Sequence, residues 1–169
     1  HQLASKAFGT IGDRARSVIS LTDAGVDIAA TGDDSKAIPV LRKAIESTKG
    51  IRGRDVNLFQ RVLASEGEGR MALAAILWND KNPEAEKMLG DACTRLDELR
   101  NQMDELRNQM DGTAEAPLNV AAVRYSIDDD TRSVAGSLTC SRFRNKDFLV
   151  SLEWPESLQS KVIRLLALR

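Results

Sequence analysis

The sequence predicts an all-α protein of helical hairpins, with a long protruding helix and a C-terminal helix that caps the core. Three observations predict it. Ala, Leu, Arg and Asp are plentiful while aromatic residues make up 4% of the chain, a composition that suits helices better than a β-sandwich. Two stretches share one pattern of bulky and small residues: Leu21, Ala24, Gly25, Ile28 with Ala37, Leu41, Ala44, and Met71, Ala74, Ala75, Trp78 with Ala85, Leu89, Ala92. Bulky residues fill the seam between antiparallel helices and small ones let the backbones approach. Such pairs bury their apolar faces by stacking, and the stacked surface commonly binds another protein. Finally, apolar residues from Ala85 to Met110 recur at alternating spacings of four and three, a heptad seam.

Along the chain, residues 1–12 are small and polar with two glycines, a loose lead-in. Residues 13–111 form the hairpin domain. Val18, Leu21, Gly25 and Ile28 place a first helix over Arg14–Thr31. Gly32 suits its end, and Asp33, Asp34 or Ser35 suits the cap of the next helix, which carries Pro39 in its first turn and ends near Ser47. A turn over 49–54 precedes a shorter helix from Asp55 to about Ser65 with Val56, Phe59, Val62 and Leu63 inward. Glu66-Gly67-Glu68-Gly69 is a flexible joint, and Arg70–Trp78 is a helix apolar nearly all round, expected at the centre. Asn82 caps and Pro83 opens the long helix 83–111. Within it, residues 97–103 are repeated unchanged by 104–110. A duplicated heptad adds two turns while barely rotating the apolar face, so the distal half becomes an arm reaching past the core. Residues 112–139 form a linker segment, in which 120–125 suit a short helix or a strand. Residues 140–169 form the helical cap: a short helix around Lys146–Leu152, a break at Trp154-Pro155, and a last helix with Leu158, Val162, Leu165 and Leu166 inward.

At 169 residues the chain is long enough to bury a core without crosslinks. A net charge of −1 with interspersed signs offers no field for nucleic acid. No apolar run approaches the roughly 20 residues of a membrane span, so any membrane association is peripheral. The chain opens at His1 without an initiating Met, so the sequence is either processed or incomplete, and any targeting peptide is out of view.

Little in the sequence points to catalysis. The sole histidine is His1, so a core His triad or a His-rich zinc site is excluded. Cys93 and Cys140 lack redox or zinc spacing and read as small core side chains, with pairing as the alternative in an oxidising compartment. Gly67-Glu68-Gly69 lacks the lysine and the strand of a phosphate loop. Asp128-Asp129-Asp130 reads as a solvated turn rather than a calcium loop. No cofactor and no metal site is expected. Trp78, among Ala and Leu at helical spacing, reads as core rather than as a ligand pocket. Trp154 is either a plug between tail and hairpins or an exposed anchor. Met103, Leu106 and Met110 continue the seam where the core ends; either a partner helix covers them or the 118–139 segment folds back. Arg142, Arg144 and Lys146 read as an ordinary solvated face.

The first repeat, Leu21 to Ala44, resembles the tetratricopeptide spacing, with Gly25 at the tight crossing. The second fits with a shorter inter-helix loop, and the helix around Phe59 is an extra element, so the array is degenerate. A more specific likeness covers residues 58–100 and 140–169. Met71-Ala72-Leu73-Ala74-Ala75-Ile76-Leu77-Trp78, the helix opening Glu84-Ala85-Glu86, and the tail Arg144-Asn145-Lys146-Asp147-Phe148-Leu149 with Trp154-Pro155, Leu158 and Leu165-Leu166 resemble the tetratricopeptide-like proteins of chloroplast thylakoids and cyanobacteria. Phe148 stands where that family has Trp, one Pro replaces a pair, and the duplicated heptad is a departure. The resemblance implies a non-enzymatic scaffold of the thylakoid, in the lumen rather than the stroma. It would be a peripheral subunit or an assembly and stability factor that docks membrane-protein subunits of a photosystem or its antenna through Leu99, Met103, Leu106 and Met110, with Trp154 second. A tetratricopeptide-type co-chaperone that binds peptides and a self-associating coiled-coil adaptor are the alternatives.

Overall fold

The computed structural model describes residues 1–51, 56–111 and 139–167, with side chains described for all of these except 56–57 and 102–111. Every regular element among them is helical: α1 (Gln2–Thr10), α2 (Arg14–Ala30), α3 (Asp34–Ser47), α4 (Val56–Asn79), α5 (Glu84–Asp111), a 3-10 turn (Cys140–Arg144), α6 (Lys146–Ser151) and α7 (Glu156–Leu166).

The boundaries follow local chemistry. The Asp13 and Asp33 carboxylates accept the backbone N–H groups of Arg16 and Lys36, which would otherwise lack partners at the starts of α2 and α3. Asn82 Oδ1 accepts from the Glu84 N–H at 3.0 Å and caps α5 as expected. Asn145 does the same for α6, accepting from Asp147 at 2.8 Å. Gly32 closes α2 with φ of 79°, a left-handed turn that costs glycine nothing. Pro39 lies in the second turn of α3 rather than the first, on its exposed side, where water can serve the carbonyl that the missing N–H leaves free.

Two expectations are corrected. The lead-in is a helix, α1, which packs on α2 through a hydroxyl contact: Ser17 Oγ donates to the Ser5 carbonyl at 2.9 Å. Its Leu, Ala, Lys and Gln residues are adequate helix formers, and the neighbouring helix supplies the tertiary contact that a short segment needs. The expected joint at 66–69 lies inside the unbroken 24-residue α4. Its glycines are places of close approach between helices. A Cβ on Gly67 would lie 2.5 Å from Leu96 Cδ2 of α5, and one on Gly69 would lie 3.4 Å from Thr22 Cγ2 of α2.

The hairpins α2–α3 and α4–α5 pack side by side, with α4 against all its neighbours. Gly25 meets Leu41 within the first pair as Gly67 meets Leu96 within the second. Arg42 of α3 grips Glu84 of α5 through two parallel bonds of 2.8 and 2.6 Å. Residues Met71 to Leu77 are between 0 and 2% exposed, so this stretch of α4 is central, as its all-round apolar character predicts. Carrying the Gly67–Leu96 register along the antiparallel pair sets Val56, where α4 begins, level with Arg107 of α5. An α4 without a break therefore runs beside most of α5 and shortens the expected arm.

The tail folds onto this frame. α7 packs against α4 and α2, burying Leu158, Val162, Leu165 and Leu166 as the sequence stripe predicts. Phe143 is fully buried, edge-on to Phe148 at 5.4 Å between ring centroids and tilted against Trp154 at 5.5 Å.

Candidate functional site

The residues expected to meet a partner are divided by the structure. Leu99 is fully buried in the chain's own core, which corrects its expected place among the partner contacts: α4 and α5 share that part of the seam. Trp154 is 4% exposed and fills the plug position, its carbonyl accepting from Gln159 Nε2 at 2.6 Å. The side chains of Met103, Leu106 and Met110 lie outside the described residues, as does Asp128-Asp129-Asp130. Arg142, Arg144 and Lys146 are exposed; Arg142 lies 4.8 Å over the Phe148 ring, and Lys146 faces Glu156 at 3.9 Å.

Cys93 and Cys140 form a disulfide, with their Cα atoms 5.0 Å apart. The reading of two separate thiols is thereby corrected. Cys93 lies one turn after Leu89, partly buried at the edge of the inner face of α5, and the 3-10 turn packs on that helix, so the tail carries Cys140 to it. Sequence alone offered no spacing signal because 47 positions separate the two residues.

Two acidic groups sit inside the helical frame. The Glu66 side chain is 2% exposed and is held by Arg70 at 2.8 Å and Arg95 at 3.2 Å. Its charge is thus matched by cations from its own helix and from α5. Glu68, half-buried on the next face of α4, has no such cation among the described residues. Burial, with the nearby Asp23 charge adding to it, pushes its carboxyl up to about 7, against a smaller opposing effect of a hydrogen bond from the Trp154 side chain. Asp23 is raised as well, chiefly by burial and then by Asp27, with the amino group of His1 and then Arg61 opposing and Glu153 reinforcing. No local signal hints at this pair, because a Glu-Gly-Glu-Gly run reads as exposed.

A concave recess of about 270 Å³ opens where the α4–α5 turn meets α7, lined by Trp78, Asn79, Lys81, Lys161 and Arg164. Trp78 is 38% exposed, a correction to its expected place in the core. The apolar run of α4 is sealed up to Leu77 and surfaces at Trp78, its next residue, as the helix ends. Lys81 holds φ of 57°, a left-handed conformation in a place that favours glycine or asparagine. Its N–H donates to the Trp78 carbonyl at 2.9 Å, so the backbone bond that closes α4 also fixes the lysine beside the indole. Lys161 is paired with Asp34 of α3. Arg164 donates through Nε to the Ser160 carbonyl at 3.2 Å, and neither Arg164 nor Lys81 has a carboxylate partner among the described residues. The only sequence signal for this recess is the helical spacing of Lys161 and Arg164; Trp78 and Lys81 join them through tertiary folding alone.

Among the described residues no group of three or more His, Cys, Asp or Glu side chains is placed to hold a metal ion. No described helix is long and apolar enough to cross a membrane. No family model, curated protein or solved structure matches the chain.

Proposed function

We propose that this chain is a non-catalytic helical scaffold that holds a protein partner. The observation that carries the reading is Trp78: an aromatic side chain partly exposed in a recess beside Lys81 and Arg164, directly after the sealed Met71–Leu77 stretch of α4. Trp and Arg are the residue types that dominate binding energy at protein interfaces, and they do so from pockets of this kind. The rest of the frame supports a rigid platform. Two antiparallel pairs are packed at glycine crossings, a bidentate Arg42–Glu84 bond joins them, and a disulfide fastens the tail.

In its specific form the proposal is a tetratricopeptide-like subunit or assembly factor in the thylakoid lumen, peripheral to the membrane, docked on a photosystem or its antenna. Its support is the likeness of the Met71–Trp78 run and of the tail around Trp154-Pro155. The Cys93–Cys140 disulfide suits an oxidising compartment. The distal α5 residues Met103, Leu106 and Met110 are a second contact in this reading. Stable docking requires about 1,000 Å² or more of buried surface, which the recess alone does not supply.

Solubilising the membranes in mild detergent and following the chain through native electrophoresis tests the proposal. Co-migration with one membrane complex supports it. A chain that always runs alone removes the subunit reading. A mass that grows with concentration in light scattering replaces it with self-association.

A further inference from the structure

We infer that the Trp78 recess binds an acidic segment of a protein partner, with carboxylates on Lys81 and Arg164 and an apolar side chain on the indole. The inference rests on the scaffold reading and names the chemistry of what the scaffold holds. Three observations lead to it. The recess places two cations without carboxylate partners among the described residues around one partly exposed aromatic ring. Its third cation, Lys161, is already matched by Asp34, so the free charge suits one or two carboxylates. The backbone of Lys81 is held at φ of 57°, where a side chain is disfavoured and glycine would sit without strain, yet the residue there is a lysine at the mouth of the recess.

The geometry favours an acidic peptide over a compact phosphate. The recess lies at the C-terminal ends of α4 and α7, whose free carbonyls carry partial negative charge. A phosphate there would face carbonyls and would lack the backbone N–H groups that cradle such anions. A peptide spreads its charge along the chain and can turn an apolar side chain to Trp78 while its carboxylates reach outward to the two cations. Arg164 can take a carboxylate through its terminal N–H groups, because its Nε is already engaged by the Ser160 carbonyl.

Trp78 is the reporter for the test, since Trp154 is buried. The whole chain is titrated with a short capped peptide of alternating glutamate and leucine, with the same peptide carrying lysine for glutamate, and with inorganic phosphate. The expected result is a saturable shift in Trp78 emission with the acidic peptide alone, weakened by added salt. Lys81→Gly and Arg164→Gln should each weaken binding by about tenfold, the loss typical of a charge-assisted contact. Lys81→Gly also relieves the left-handed strain, so its thermal unfolding should be unchanged or raised. Binding of the lysine peptide with equal affinity, an equal shift with phosphate, or full affinity in the double variant overturns the inference. A drop in stability of Lys81→Gly without loss of peptide assigns the lysine to the helix end and overturns it too. A failed titration with intact co-migration removes the recess and leaves the scaffold. A successful titration with no co-migrating complex leaves the recess and removes complex membership.

Discussion

Gly67 of α4 and Leu96 of α5 are so close that a methyl group on the glycine would stand 2.5 Å from Leu96 Cδ2 and 2.9 Å from its Cγ. Leu96 is fully buried and has little room to yield. Gly67→Ala gains about 1 kcal/mol of helix propensity but meets overpacking of about 1–3 kcal/mol, so a net loss of stability is expected. Gly90→Ala is the control. Open space surrounds that position on α5, and the same substitution should stabilise by up to about 1 kcal/mol. Urea unfolding of the two variants, compared with the parent, checks both signs.

Opening the Cys93–Cys140 bridge frees a chain segment of 47 positions in the unfolded state. By loop-closure entropy the bridge is worth about 4 kcal/mol. The Cys93→Ser and Cys140→Ser double variant, or the parent under reductant, should unfold at a clearly lower denaturant concentration. The two treatments should agree closely, and an unchanged midpoint would remove the bridge from the fold's stability.

Glu68 makes the fold sensitive to pH near neutrality. Its folded carboxyl titrates at about 7, above its ordinary value of 4.5, so the folded state favours the neutral acid. The stabilisation is fully present below about 4.5 and is lost as pH rises through about 7. Asp23, also raised, acts in the same direction. The ceiling for Glu68 is about 3 kcal/mol, and residual solvent contact of the half-buried side chain lowers it. Glu68→Gln keeps an acceptor for Trp154 and should flatten the fall in melting temperature between pH 5 and 8, with its largest gain at pH 8.

Trp154→Ala empties the plug between Phe143 and the helical frame and should cost about 3–5 kcal/mol, as large aromatic truncations do. Trp154→Phe keeps most of the packing and should cost much less. Hydrogen exchange separates local from global effects: faster exchange confined to α6 and α7 would mark release of the tail, with α4 still protected.

Much of the fold was legible because its signals are local. The cap residues Asp33 and Asn82, the closing Gly32, the all-round apolar Met71–Leu77 and the α7 stripe each act within a turn or two of the chain. Glu66-Gly67-Glu68-Gly69 was misread because two glycines and two acids resemble a linker. Leu96 and Thr22 decide the matter from other helices, and Arg70 and Arg95 accommodate one of the acids. The same tertiary origin hid the disulfide and the recess. Trp78 looked like core by spacing, since periodicity does not reveal how far neighbouring elements cover the end of α4.

The link between Cys93 and Cys140 has a consequence for proteolysis. A protease that cut anywhere between those two positions would leave both pieces attached. The nicked molecule would keep its mass on a non-reducing gel and separate into two bands once thiol was added. A single cut between the two cysteines would therefore leave α7 tethered to the helices it covers.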